Sequence, residues 1–245
     1  MCTITLAWQV FEETPVLVAA NRDESVGRPA EPPRRRDWGR AVIAPLDQRA
    51  GGTWIGYNED GVVVALANRW TEATLSGERS RGLLVREALG HESAEAAIRF
   101  VERELDERDY EGFNLVAVDE TAAILVEWDG VPRVVPFDPG VHVVVNVGAD
   151  GVYAVPPSRA EYGSAQTEHA EAVRSALQPE PGERGRAWLD RASDVISDHD
   201  YGVCIHGDGF GTVSSSLIQV DGGHRYDFAD GPPCENLFER VPETV

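Results

Sequence analysis

The order in which two hydrophobic periodicities alternate along this chain limits its fold more than any single residue does. Residues 3–9 alternate Ile4 and Leu6 with Thr3 and Thr5, and residues 15–20 are short, apolar and β-branched, with Glu12-Glu13-Thr14-Pro15 as a turn between them. This pattern predicts a hairpin whose second strand carries Asn21-Arg22-Asp23-Glu24 beside the beginning of the first. Residues 25–48 are rich in Pro and Arg, with one apolar run at 41–44, and predict a loop crossing the surface. A second hairpin follows, with a strand over 51–57, a turn at Asn58-Glu59-Asp60-Gly61 and a return over 62–68.

The period then lengthens. Leu83, Leu84, Glu87 and Ala88 suit a short helix starting near Ser80, and Ser93 stands as N-cap of a second in which Ala94, Ala97, Ile98, Val101 and Leu105 recur. Residues 113–118, 122–128, 131–137 and 141–147 predict four strands, split by turns at Asp119-Glu120 and Asp129-Gly130. Helices over 158–177 and 184–197 follow, joined by Gln178-Pro179-Glu180-Pro181-Gly182, and Trp188, Leu189, Ala192, Val195 and Ile196 form one stripe of the latter. Strands over 203–206, 212–220 and 224–228 end the chain, and no internal repeat interrupts it. Strands, helices, strands, helices, strands predict an α+β protein: two facing sheets with helices outside, a four-layer α-β-β-α sandwich in one domain over residues 1–245.

Charge restricts the setting. There are 42 acidic and 22 basic residues, a net charge of -20, and every basic residue is Arg. Acid excess without lysine points to a high-salt cytoplasm, where a Debye length of ~3 Å at 1 M salt screens self-repulsion. No Lys/Arg stripe stands ready to replace counterions, so a duplex nucleic-acid partner is not expected. The run Arg34-Arg35-Arg36 lies beside Asp37 and is read as a solvated loop. Three widely spaced cysteines do not form a disulfide framework, and neither a signal peptide nor a membrane-spanning apolar run is found. A cytoplasmic protein with a small-molecule substrate or ligand is expected, its oligomeric state left open.

The reactive candidate is Cys2. Methionine is generally trimmed before a small second residue, which would put a thiol and a free α-amine on Cys2. Such an amine titrates near pH ~8, and pairing a nucleophile with its own terminal amine is a known means of activation. The alternative is a small buried hydrophobe opening a strand. His91, His142, His169, His199, His206 and His224 are scattered, and Cys204-Ile205-His206 alternates without a further ligand pair in metal spacing. No structural zinc, other metal or cofactor is expected; Cys204 is read as core and Cys234, in a Pro-Pro-Cys turn, as exposed.

Met1-Cys2, Ala19-Ala20-Asn21-Arg22-Asp23-Glu24-Ser25, Arg28-Pro29 and Gly51-Gly52-Thr53-Trp54-Ile55-Gly56 together resemble the NRDE family, also called the transport and Golgi organisation protein family. Leu66-Ala67-Asn68, Ser80-Arg81-Gly82-Leu83-Leu84, Gly112-Phe113-Asn114-Leu115 and Gly211-Thr212-Val213-Ser214-Ser215 continue the match in order. The resemblance implies an N-terminal nucleophile hydrolase-like fold and kinship with cysteine acylases such as bile salt hydrolases and penicillin V acylases. It implies Cys2 as nucleophile, Asp23 holding its amine and thiol, and Asn68 and Asn146 as oxyanion donors. Asn21, Arg22, Trp54 and Arg81 complete the set as substrate-binding candidates, Arg81 as an anion site at a helix start. The chain has Ala20 where the acylases carry an Arg three positions before the Asp, and Arg225 is the candidate for their late active-site Arg.

Structural roles compete with these. The Asn residues also suit strand ends and turns, and Arg22 and Glu24 suit pairing with each other or with Asp47. Two functions are carried forward: a cysteine-dependent hydrolase or acyltransferase acting on an amide or thioester, and a non-catalytic binding or trafficking protein for haem, lipid or acyl-coenzyme A. No Cys-Pro dipeptide supports the haem alternative.

Overall fold

In the computed structural model, which describes residues 2–245, β1 (Thr3–Phe11) and β2 (Thr14–Ser25) pair as the expected hairpin and are buried along most of their length. Burial on both faces marks strands of an inner layer. Successive side chains point to opposite faces, so the two faces feed different cores. Ile4, Leu6, Val16 and Val18 pack against Ile43, Ile55, Val63 and Val116 of a second sheet. Ala7, Leu17 and Ala19 pack instead against Trp188, Leu189, Ala192 and Val173, which lie on helices.

Further along come β3 (Ala30–Asp37), β4 (Ala41–Asp47), β5 (Ile55–Asn58) and β6 (Val63–Asn68), then helices α1 (Arg81–Ala88) and α2 (Ala94–Glu107). β7 (Phe113–Val118), β8 (Ala123–Trp128), β9 (Pro132–Pro136), β10 (Gly140–Val145), β11 (Gly148–Ala149) and β12 (Val152–Tyr153) precede α3 (Ala160–Ala176) and α4 (Gly185–Ser197). β13 (Phe210–Val220), β14 (Arg225–Ala229) and β15 (Glu239–Arg240) finish the chain. Among the described residues these form an eight-stranded sheet, β12-β11-β10-β1-β2-β13-β14-β15, and a seven-stranded sheet, β3-β4-β5-β6-β7-β8-β9. The pairings are antiparallel. α1 and α2 cover the outer face of the seven-stranded sheet, where Leu84, Val85, Ala97 and Val101 meet Val64, Leu115 and Val126. α3 and α4 cover the other sheet, completing the predicted α-β-β-α order. No helix among the described residues is long and apolar enough to cross a membrane.

Both serines expected at helix starts are caps: Ser80 Oγ accepts from Gly82 N at 3.3 Å, and Ser93 Oγ from Ala96 N at 3.1 Å. Two expectations fail. Residues 25–48 are not a surface loop but contain the β3–β4 hairpin, with the Arg34-Arg35-Arg36 run inside a strand. Pro32 and Pro33 fall where the register shifts between Glu31 and Arg34, on the strand that forms the sheet edge. Prolines are tolerated there, because an edge strand needs hydrogen-bond donors on one side only and a bulge already interrupts the ladder. Residues 203–206 are likewise not a strand. Ile205 spends its N–H on Thr212 Oγ1 at 2.9 Å and its carbonyl on Thr212 N at 2.8 Å, which closes a loop ahead of β13.

One backbone crossing fixes the start of α1. Thr53 N donates to Gly82 O at 2.9 Å, and a Cβ on Gly52 would lie 2.1 Å from the Gly82 carbonyl carbon. The contact positions Trp54 and Arg81, which flank it in sequence. Gly52→Ala is therefore expected to lower the unfolding free energy by about 2 kcal/mol or more through overpacking. Gly51→Ala, at φ 72° with open space around it, is expected to cost about 1 kcal/mol of backbone strain. Denaturant unfolding of the two variants checks the order.

Candidate active site

Strand register assembles the site at one end of the inter-sheet core. Thr3 pairs with Asn21, which brings Cys2 alongside Arg22 and Asp23. On the far side of β2, Thr212 pairs with Asp23 and Ser214 with Arg22, and a bulge between them turns the β13 side chains. On the far side of β1, Ile4 pairs with Val144, so Asn146 emerges from the end of β10 beside Cys2. Asn68 closes β6 in the opposite sheet.

Asn146 is the junction. Its Oδ1 accepts from Cys2 N at 3.2 Å and from Gln166 Nε2 at 2.8 Å. Its Nδ2 donates to the Asn68 main-chain carbonyl at 2.6 Å, and its own carbonyl accepts from Trp70 N at 3.0 Å. The Asn146 carboxamide oxygen thus holds the nitrogen of Cys2, while its Nδ2 commits one of two N–H groups to Asn68. The Cys2 thiol lies 3.7 Å from the Asp23 main-chain carbonyl. Asp23 Oδ1 accepts from Thr212 Oγ1 at 2.6 Å, and Thr212 Oγ1 in turn accepts from Ile205 N.

Desolvation governs the titrating groups, because burial penalises the charged form of each. It raises the Cys2 thiol above its ordinary value and pushes the Asp23 carboxyl up to about 6. A standing thiolate is therefore disfavoured. Burial also lowers the pKa of the Arg22 and Arg81 guanidinium groups, which remain cations.

Arg22 stacks on Trp54, its guanidinium carbon 3.9 Å from the ring centroid. The expected pairing of Arg22 with Glu24 or Asp47 does not form: Arg28 takes both, at 3.6 Å and 2.6 Å. No ion pair of Arg22 with another described residue is seen. Arg81 donates to Gly112 O at 2.7 Å and pairs with Glu111 at 3.0 Å. Asn21 is spent on the scaffold. Its Nδ2 donates to the carbonyls of Ile196 and Val203, and its Oδ1 accepts from Ser215 Oγ, which commits both N–H groups to the scaffold. Arg225 pairs with Asp227 at 2.8 Å.

Two spaces adjoin the stack. Cys2, Ile4, Ala20, Arg22, Trp54 and Leu66 border a chamber of about 10 Å³, room for one water at most. Arg22 and Trp54 also border a cavity of about 370 Å³ that continues past Arg28, Pro32, Ser214 and Phe228. Ser214 Oγ is buried there without a hydrogen-bond partner among the described residues. In the sequence, Thr212 and Ser214 stand out only as parts of a motif, and Gln166 carries no signal beyond its place in a helix. The reading that Cys204 and His206 lack further metal-type partners also fails, since the fold brings His199 and Cys234 to them.

Two facing antiparallel sheets between helical layers, with a cysteine leading the first central strand, define an N-terminal nucleophile hydrolase-like fold. Penicillin V acylase from Agrobacterium tumefaciens superposes with a TM-score of 0.57 at 14% identity, over 94% of this chain and 83% of its own. The Caenorhabditis elegans orthologue of N-acylethanolamine-hydrolyzing acid amidase gives 0.55 at 11% identity, covering 89% and 92%. A variant of conjugated bile acid hydrolase from Clostridium perfringens gives 0.55 at 13%, covering 98% and 92%. These likenesses are of fold. The chain belongs to the Transport and Golgi organisation 2 family, whose sequence model matches residues 1–231. The Homo sapiens homolog of Transport and Golgi organization protein 2 is 24% identical over 246 residues, 88% of this chain and 85% of its own. The Bos taurus homolog is 36% identical over 114 residues, 44% of this chain and 40% of its own length.

The Asp23 carboxyl gives the site a pH signature. Its folded pKa lies above the ordinary 3.8, so its stabilising contribution is complete below that value and is lost as pH rises through about 6. Relative to Asp23→Asn, the wild type is expected to lose about 2 kcal/mol of stability between about pH 4 and pH 7. Parallel urea titrations of both proteins across that range measure it, and a flat difference would contradict a buried, raised carboxyl.

Proposed function

We propose that this chain is a cysteine N-terminal nucleophile hydrolase or acyltransferase that cleaves an amide or thioester of a small molecule. The observation that carries the reading is the anchoring of the Cys2 nitrogen by Asn146 Oδ1, with the thiol against Asp23. Met1 lies outside the described residues. Once it is removed, the anchored nitrogen becomes an α-amine already in place. In its neutral form the amine takes the thiol proton as sulfur attacks the carbonyl carbon. Asp23, buried at the end of the β1–β2 pair, orients the resulting ammonium. The ammonium then returns the proton to the leaving group as the tetrahedral adduct collapses to a Cys2 thioester. Water, or an acceptor amine, alcohol or thiol, resolves that thioester.

Asn68 is assigned to the oxyanion. Its main-chain carbonyl is fixed by Asn146, which sets the strand end that presents its carboxamide. Asn146 itself keeps the amine in position. Arg22 stacked on Trp54, with Arg81 nearby, suits a substrate bearing an anionic group close to the scissile bond, and the 370 Å³ cavity suits its remaining part. The lysine-free, acid-rich composition supports a high-salt cytoplasm as the setting.

The test is threefold. Intact mass of the native protein is expected to lack Met1, and a panel of amides and thioesters is expected to be turned over by wild type and not by Cys2→Ala. Asn68→Ala is expected to lower kcat by roughly 100- to 1,000-fold with a smaller effect on KM, the loss seen when one oxyanion donor is removed elsewhere. A retained Met1, or turnover indifferent to Cys2→Ala, would sink the proposal. Saturable ligand binding without turnover would favour a binding or trafficking role on the same fold.

A further inference from the structure

The described residues hold a second cluster of reactive side chains, at the edge of the β13–β14 side of the eight-stranded sheet. His199 opens a single helical turn after α4, Cys204 and His206 lie in the loop before β13, and Cys234 follows β14. One donor atom from each of the four lies within 4.8 Å of the other three. Cys204 Sγ is 3.5 Å from Cys234 Sγ and 3.8 Å from His206 Nε2, and His206 Nε2 is 3.1 Å from Cys234 Sγ. The His199 and His206 rings stack with centroids 5.1 Å apart.

These spacings fit a shared ion. Tetrahedral zinc, with Zn–S of about 2.3 Å and Zn–N of about 2.0–2.1 Å, sets S···S at about 3.8 Å and S···N at about 3.6 Å. The observed sulfur–sulfur and sulfur–nitrogen distances lie around those values. A disulfide would need about 2.05 Å, and the cysteines are free. The imidazole of His206 carries a further mark. Its Nε2 faces the cluster while its Nδ1 lies on the side of Glu235, 3.9 Å from Oε1 and beyond direct hydrogen-bond distance, where a carboxylate commonly accompanies a metal-bound histidine.

We infer that His199, Cys204, His206 and Cys234 form a structural zinc site with two cysteine and two histidine ligands. Two thiolates and two imidazoles in tetrahedral reach select zinc over hard cations, and four protein ligands leave no open position for chemistry. Binding releases the two thiol protons to solvent and joins Zn²⁺ to both thiolates, so the core carries no net charge. His199, His206 and Cys234 are exposed and Cys204 is buried, so the metal can enter without global unfolding. It would clip the loop before β13 to the segment after β14. That loop includes Ile205, whose N–H reaches Thr212 and through it Asp23, so the clip braces one wall of the Cys2 site. The assignment is independent of turnover at Cys2.

The test uses the full chain, without a polyhistidine tag, purified under reductant and passed over chelating resin. Elemental analysis is expected to find one zinc per chain in the wild type and in Cys2→Ala. Cys234→Ser and His206→Ala are expected to lose it while keeping the wild-type circular dichroism. Cobalt added to apoprotein is expected to give the intense d–d bands of a tetrahedral site together with thiolate-to-cobalt charge transfer, which decides the matter even if a variant fails to fold. Chelation is expected to lower Tm by several degrees. Substoichiometric zinc with no tetrahedral cobalt spectrum in reduced, folded protein would overturn the inference. So would a Cys204–Cys234 disulfide in protein isolated with its thiols blocked.

Discussion

A single buried carboxamide, that of Asn146, ties the two sheets together at the place where the chemistry is expected. Its oxygen belongs to the Cys2 end of one sheet and its nitrogen to the Asn68 end of the other. The Asn146 side chain is out of water, so an Nδ2 left without its bond would cost the desolvation of a polar group, while Oδ1 is held a second time by Gln166. The same seam recurs one strand away, where Asn114 Nδ2 reaches Val145 O at 2.6 Å and Asn114 Oδ1 accepts from Arg69, itself paired with Glu127. Hydrophobic packing is non-directional and holds the sheets at their spacing; these polar bridges fix how one sheet is registered on the other.

Burial shapes the protonation of the site built on that seam. Burial opposes ionisation of both Cys2 and Asp23, so the two groups keep their protons longer than they would in water. The neighbouring Arg22 and Arg81 cations supply positive potential without donating to the thiol in this geometry. In the proposed mechanism such an arrangement makes the thiol depend on its own main-chain nitrogen, as a neutral amine, to accept its proton. It also makes the scaffold sensitive to any change that admits water at the end of β2.

The hairpins, helices and layer order were legible because period-two and helical patterns follow directly from which faces are buried, as in β1, β2, α2 and α4. The β3 strand was not, since an edge strand with two prolines at a bulge and three arginines along it has the composition of a loop. Residues 203–206 show the converse: alternation is present, but the Ile205 hydrogen bonds go to Thr212 and close a turn. Cys2, Asp23 and Asn68 were singled out by ordered motifs and Asn146 by its place at a strand end, and the fold brings Cys2, Asp23 and Asn146 together. What each amide bonds to was not legible, because that depends on inter-sheet register. The cysteine–histidine cluster escaped for a related reason: Cys204 and His206 announce themselves locally, whereas Cys234 arrives only because the β13–β14 hairpin folds back.

The chamber beside Cys2 is bordered by the guanidinium of Arg22, which lies on the indole of Trp54. A stack of that type is worth about 0.5 to 2 kcal/mol. Breaking it alone would leave an open form populated at roughly a few to some tens of per cent. An unstacked form of that population would leave the Cys2 thiol screened from bulk water most of the time. A ligand that satisfies the guanidinium better than the indole does would shift that balance by its own binding, so under the proposed role of Arg22 recognition and access to Cys2 would be coupled.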